Sequence, residues 1–291
     1  MSESNLLQID RANIDTTPFG QLAPSAMSCW IFRTLRYLPA ALWGRKLCLL
    51  LRRLAIRRTT PAYDVEAYGI KLRLHPHDNL TEKQLLCAPQ FFDREERDFL
   101  STRTGRGLTF VDIGANSGIY SLIAASLASS GRVVAVEPDP VMFARLMFNQ
   151  AANQFAHLKV KQAAISNREG TATMYINHKN RGQNSMHYTT GNKITVPCLT
   201  LLALLDEFDI GTPDVLKLDI EGLEYNVLRQ FFEMAPVERF PKTMIIEQFL
   251  DSRDQATQLA LRYGYRIWQR TGASNVIFEL PAKTGLSRRS A

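Results

Sequence analysis

The sequence has no apolar run approaching the ~20 residues that a helix needs to cross a bilayer. Its four cysteines, Cys29, Cys48, Cys87 and Cys198, stand far apart and form no Cys-x-x-Cys pair. That spacing excludes the common zinc sites and disulfide frameworks and fits thiols kept reduced in a cytoplasm. No internal repeat or low-complexity tract is present. The opening stretch MSESNLLQIDRANID lacks the charged-then-apolar order of a secretory signal. One segment lacks acid altogether. Between Ser28 and Thr60 there is no Asp or Glu, yet it holds eight basic residues: Arg33, Arg36, Arg45, Lys46, Arg52, Arg53, Arg57 and Arg58. Outside it 27 basic residues face 28 acidic ones, so the net charge of +7 belongs to this segment. The composition, 45% apolar and 22% charged, allows a sizeable globular core.

Periodicity divides the chain. Residues 1–60 read as a flexible lead followed by a basic segment with apolar positions at helical spacing, interrupted by Pro39 and Gly44. Residues 61–106 read as a hairpin around Gly69 and then one helical stretch over 79–100. From residue 107 to 282, short Val/Ile/Leu-rich runs alternate with helical stretches: 108–113, 133–137, 158–162, 215–219, 244–247, 265–268 and 275–280. Such alternation predicts an α/β fold with a mostly parallel sheet covered on both faces. Only Gln269–Ser274 separate the last two runs, too few residues for a helix, so an antiparallel C-terminal hairpin is expected. Residues 170–199 read as an inserted β-excursion with a polar loop, and 283–291 as a tail.

The stretch TFVDIGANSGIYSL has the form strand, turn, helix. Gly114 and Gly118 lack a Cβ and permit a tight turn with close ligand approach. Their G-x-x-x-G spacing differs from the G-x-G-x-x-G that admits a pyrophosphate. S-adenosylmethionine has no phosphate. Asp112 suits its amino group, the amides near Ala115 and Asn116 suit its carboxylate, and Tyr120 opens the following helix. The next strand, RVVAVEPDP, ends in Glu137 and Pro138, and Glu137 lies 23 residues after Gly114. A carboxylate there can accept from both ribose hydroxyls; its structural alternative is a helix-end carboxylate. Ala164, after the third strand, can flank the adenine or be ordinary packing.

Together, FVDIGANSGIYSL, VAVEPDP, VKQAAISNREG and VLKLDIEGLEYNVL resemble the FkbM family of methyltransferases over roughly residues 80–280. The resemblance implies a class I (Rossmann-like) methyltransferase fold, S-adenosylmethionine as cofactor, and O-methylation of sugars, glycolipids or secondary metabolites. The family's T-L-D acid is missing from PCLTLLALLDEF, or is shifted to Asp206.

The fourth strand ends in Lys217-Leu218-Asp219-Ile220-Glu221-Gly222, and the fifth in Glu247. Strand ends line the ligand crevice of open α/β sheets. Asp219, Glu221 and Glu247 are therefore the candidate catalytic carboxylates, with Asp219 also contacting the cofactor. Glu221 has a helix cap as its alternative role. No spacing demands a metal, and none is expected, although grouped carboxylates can hold Mg²⁺. In the polar loop 177–192, Asn184, Ser185 and His187 are the substrate-side candidates, because loops on such scaffolds select substrates. His178 and His187 are either base candidates or solvated.

The expected partner is a small-molecule or glycan acceptor. Residues 28–58 have three readings: a helical cap on the sheet, an interfacial helix at an anionic inner membrane surface, or an attractor of RNA or an acidic protein. Nucleic acid is the least favoured, since no RNA-binding motif is present. Oligomeric state is not readable. A peptide or natural-product N/O acceptor, or a cofactor-fold protein without catalysis, stand as alternatives to carbohydrate O-methylation.

Overall fold

The computed structural model describes residues 17–38, 42–56, 60–103, 107–176, 192–247, 253–271 and 275–281. The basic segment forms two helices, α1 (Ala26–Leu35) and α2 (Leu42–Ala55). The Ser25 hydroxyl caps α1 by accepting the Ser28 amide at 3.3 Å. Ile31, Phe32 and Leu35, at helical spacing, are its buried face.

The expected hairpin is β1 (Tyr63–Ala67) and β2 (Ile70–Leu74), joined through Tyr68 and Gly69. Both joining residues have positive φ, 54° and 76°, as a two-residue hairpin turn requires. The single helix expected over 79–100 is corrected. The chain forms α3 (Leu80–Cys87), a 3₁₀ turn (Pro89–Phe91) and α4 (Arg94–Thr102). Pro89 has no N–H to continue α3. The chain then re-enters a helix through Asp93, at φ 36°.

The remaining elements alternate as expected. In chain order they are β3 (Thr109–Ile113), α5 (Ile119–Leu127), β4 (Arg132–Val136), α6 (Pro140–Asn153) and β5 (Leu158–Lys161). The excursion follows as β6 (Ala164–Ile165), β7 (Gly170–Ile176) and β8 (Asn192–Leu199), a separate three-stranded sheet ordered β6-β8-β7. Then come α7 (Leu201–Glu207), β9 (Val215–Leu218), α8 (Glu224–Met234), β10 (Thr243–Glu247), α9 (Arg253–Arg262), β11 (Arg266–Arg270) and β12 (Asn275–Glu279).

The main sheet has seven strands in the order β11-β12-β10-β9-β3-β4-β5. All neighbours are parallel except β12, which runs antiparallel between β10 and β11. This is the class I methyltransferase sheet. Side-chain alternation divides the strands between two cores. Phe110, Val133, Val215, Ile245 and Ile277 join the α5 and N-terminal side. Val111, Val134, Leu216, Met244 and Phe278 join the α7–α8–α9 side.

Buried charge fastens the N-terminal elements to α6. The Arg73 guanidinium donates to both Asp64 oxygens at 2.7 and 2.9 Å, and both side chains are 1% exposed. The Arg73 amide donates to Asn149 at 2.8 Å. Arg145 on α6 pairs with Asp78 at 2.8 Å and Glu82 at 3.4 Å. Asp64→Ala would leave a buried guanidinium without its carboxylate. We expect it to lower the unfolding free energy by about 3–5 kcal/mol in urea titration. An unchanged midpoint would show that the pair contributes nothing to stability.

Candidate active site

The chain leaves β3 towards β4 on one side, and β9 lies on the other. The carboxyl ends of β3 and β9 thus flank a topological switch point, where open α/β sheets form their ligand crevice. The two strand exits touch. Gly114 has φ 80°, and a Cβ placed on it would lie 1.8 Å from the Asp219 carbonyl oxygen. Only glycine meets both constraints.

The turn after β3 satisfies its own amides. Gly114 and Ala115 N–H both donate to the Val136 carbonyl at 3.0 Å, and Gly118 N–H donates to Ala115 at 2.9 Å. Asn116 N–H donates to Glu137 Oε2 and Ser117 N–H to the Asn116 side chain, each at 2.8 Å. The other Glu137 oxygen accepts the Asp139 amide at 2.8 Å. The expectation that the Ala115 and Asn116 amides receive a cofactor carboxylate does not match this bonding, because both are spent inside the turn. Glu137 organises the turn, and each of its oxygens keeps lone-pair capacity for a further donor. Burial, and then the Asp139 charge, push its carboxyl up to about 8.

A buried ammonium lies at the centre of the rim. Lys217 is 4% exposed and donates to Asp219 Oδ2 at 2.6 Å. It pairs in register with Asp112, and its Nζ sits 4.8 Å from the centre of the Tyr120 ring. Burial disfavours the charged form, but Asp219 and Asp112 outweigh it and hold the lysine well above its ordinary value. Burial also acts to raise Asp219, but Lys217 overrides it and keeps that carboxyl low. Glu247 shares a hydrogen bond with Asp219; burial and the Asp219 charge push it up to about 10. Glu221 is pushed up to about 8 by burial, then by Asp219 and Glu224. One carboxylate of this trio is therefore ionised while two favour the proton.

The structure brings Asp219, Glu221 and Glu247 together, with one oxygen of each within 4.8 Å of the others. A shared proton and the Lys217 ammonium account for this closeness. Glu221 sits at φ 56° and Gly222 at φ 102°, so the chain bends sharply there. α8 has no side-chain cap; Glu224, its first residue, instead ties down the preceding turn, its Oε1 accepting the Ile220 and Gly222 amides at 2.9 and 3.3 Å. Glu221 is thus not the capping acid.

Asp112 is 1% exposed. Its Oδ2 accepts the Ser121 hydroxyl at 2.5 Å, and its Oδ1 is buried with no partner among the described residues. Tyr120 donates its hydroxyl to Asp93 at 2.8 Å. Burial raises the Asp93 carboxyl. Asp93 was missed in the sequence: it lies in FFDREERDFL, where its neighbours imply an ordinary helix surface. Gly118 caps α5 at φ 88°, against Leu146 of α6. Pro138 carries the chain from Glu137 towards α6. Ala164 does not face the crevice. It is buried in the small sheet with Met174, Ile176, Val196 and Cys198. Asp206 pairs with Arg239 at 2.9 Å on the exposed side of α7, so the family's missing acid is not restored there. Asn184, Ser185 and His187 lie outside the described residues.

The fold and the rim define an α/β methyltransferase architecture. The family model described as "Methyltransferase FkbM domain" matches residues 112–267, more than half of the chain, and the chain belongs to that family. No curated protein matches it in sequence. Among solved structures, it is similar to precorrin-6Y C5,15-methyltransferase of Geobacter metallireducens at 16% identity, covering 64% of this chain and 86% of that one, with a TM-score of 0.41. It is also similar to M. jannaschii TYW2 in complex with AdoMet, at 13% identity, 78% and 90% coverage and a TM-score of 0.40. P. horikoshii TYW2 in complex with MeSAdo follows at 14% identity, 76% and 70% coverage and a TM-score of 0.44. These likenesses are distant.

The rim fits the family's cofactor, S-adenosylmethionine. The orphaned Asp112 Oδ1 and the buried Glu247 Oε2, which has no partner among the described residues, are acceptors for a donor such as an ammonium. Glu137 follows the end of β4, and its spare lone pairs would suit ribose hydroxyls.

The protonation pattern has a measurable consequence. Folded Glu221 holds its proton up to about 8, against an ordinary value of 4.5. Unfolding between those values releases a proton, so this residue's contribution to stability is lost as pH rises through that window. In cofactor-free protein, thermal melts of Glu221→Gln should gain on wild type from acid pH up to about 8, then level off. A pH-independent difference would reject the assignment.

Proposed function

We propose that this protein transfers a methyl group from S-adenosylmethionine to a hydroxyl oxygen of a carbohydrate, glycolipid or related secondary metabolite. The observation that carries the choice of oxygen is the carboxylate trio beside the cofactor turn. A hydroxyl is a weak nucleophile whose proton must leave, and a neutral amine needs no such help to attack. Asp219, kept ionised by Lys217, is the group ready to take that proton.

The bond changes are simple. When bound, S-adenosylmethionine would supply an electrophilic methyl group to the acceptor oxygen's lone pair and would leave with the carbon–sulfur bonding electrons on sulfur. The hydroxyl proton passes to Asp219. Alignment of the reacting atoms supplies much of the rate. In this reading Glu221 and Glu247 hold the acceptor by hydrogen bonds, and Asp112 and Glu137 hold the donor. Asp93 and Tyr120 border the same rim from the N-terminal side.

Asp219→Asn should cut turnover by ~10²–10⁴-fold, the usual worth of a positioned base, with a smaller loss of cofactor affinity. The assay is methyl transfer from labelled cofactor to a panel of glycans and glycolipids. Full turnover in Asp219→Asn would remove it from the mechanism. Transfer only to amines would sink the hydroxyl reading.

Cofactor binding should also release protons. The donor carries net positive charge and meets groups held neutral by burial, with Glu137 and Glu221 at about 8 and Glu247 at about 10. A cation favours their ionised forms, so affinity should rise from neutral pH towards about 8. Calorimetry in buffers of different ionisation enthalpy would detect the release. Identical heats in all buffers would contradict the protonation pattern.

A further inference from the structure

We propose that the α1–α2 hairpin docks on an anionic lipid bilayer. The two helices are antiparallel and fixed to the core on their inner side. The Ser28 hydroxyl on α1 donates to the Ala55 carbonyl on α2 at 3.0 Å. Inward positions of α2 follow helical spacing: Gly44, Cys48, Leu51 and Ala55 are buried or half-buried.

Not every exposed position is what a solvated face would carry. Leu47, Leu50 and Leu54 follow the same spacing on a flank of α2, about 100° around the helix from the inward face and next to the outermost Lys46 and Arg53, and Leu50 and Leu54 are 59% and 62% exposed. On α1, Met27 and Trp30 are 57% and 66% exposed. Met27 and Leu54 are chain neighbours of the bonded Ser28 and Ala55, which brings the two apolar stripes to the same end of the hairpin. Single exposed leucines need no explanation, but grouped ones mark an interaction surface.

The charge on this face selects the partner. Arg33, Lys46 and Arg53 are exposed beside these stripes, and the segment contains no acid. An apolar stripe flanked by cations, with a tryptophan, matches an interfacial helix whose apolar side enters the headgroup boundary while its cations meet anionic lipid. RNA would use the cations but gain nothing from the leucines. A second copy of the chain would bring a second set of cations to the same face. No helix among the described residues is long and apolar enough to cross a membrane.

The test is sedimentation of the full chain with phosphatidylcholine vesicles, with and without phosphatidylserine. Wild type should bind only the phosphatidylserine vesicles, and added salt should weaken binding. Arg33→Gln/Lys46→Gln/Arg53→Gln should bind about 100-fold more weakly, taking roughly a tenfold loss or less for each charge. Leu50→Ser/Leu54→Ser, at unchanged charge, should also weaken it. All these positions are exposed, so melting temperatures should match wild type. Failure of folded wild type to bind, equal binding to both vesicle types, or insensitivity to either variant would overturn the proposal. So would displacement of bound vesicles by single-stranded RNA, or a wild-type dimer in sedimentation velocity that the leucine variant dissociates.

Discussion

The Lys217 ammonium is the interaction around which the rim is organised. A cation that is almost fully buried persists only if carboxylates surround it. Asp219 and Asp112 supply them, one from its own strand and one from the neighbouring strand in register. This arrangement decides the protonation of everything nearby. It stabilises one carboxylate as an anion, and that anion then disfavours a second charge on Glu247 and Glu221. The rim thus contains an ionised carboxylate and a reserve of neutral ones, all at the carboxyl ends of strands whose backbones the sheet holds rigid.

The N-terminal elements complete this rim and do not merely cover it. Asp93 reaches Tyr120 because α3 ends at Cys87, just before Pro89, and the chain turns back through a positive-φ residue. Glu96, one turn into α4, accepts from Thr271 and from Asn275, which fixes α4 against the β11–β12 pair. On the other side, Asn79 donates to the Asn116 side chain at 2.8 Å, linking the start of α3 to the cofactor turn. The Arg73 amide's bond to Asn149 and the buried Arg145–Asp78 pair hold these elements on α6, while the Arg73–Asp64 pair ties β1 to β2. Such pairs contribute less net stability than their geometry suggests, but each breaks at high cost if one partner is lost. Their effect is to specify one docking of the N-terminal elements on the sheet.

The sequence made the sheet legible because its period and its punctuation agree. Apolar runs of strand length, helical stretches between them and a short 269–274 connection leave few other topologies. The exit residues Asp112, Gly114, Glu137 and Asp219 were legible because strand ends are where such sheets place ligands. What escaped was whatever depends on three-dimensional competition for hydrogen bonds. The Ala115 and Asn116 amides were available on paper, but Val136 and Glu137, from the neighbouring strand, take them. Glu221 offered a helix cap by spacing, but α8 has no side-chain cap. The bond that holds this turn comes from Glu224, which accepts the Ile220 amide. Ala164 followed the right strand, yet its pairing with β8 turns it into the small sheet. Asp93 is separated from the cofactor turn by a whole helix, and no local pattern records that contact.

A permanent cation beside a site for a cationic methyl donor works against binding. The geometry resolves the conflict. Lys217 is neutralised at 2.6 Å by Asp219, and its open side is covered by the Tyr120 ring, so little of its field reaches the crevice. Without the lysine, Asp219 would face Glu247 and Glu221 in a buried pocket and would share their preference for the proton. The rim would then hold three neutral acids and no base. Lys217 gives up a little attraction for the donor and keeps in return one carboxylate ionised where the acceptor's proton must go. The turn at Gly114, which brings the β3 exit against the Asp219 carbonyl, fixes the distance between that base and the donor's binding loop. Charge and backbone geometry therefore meet in one residue: Asp219 is held ionised by its side chain's partner and held in place by its main chain's neighbour.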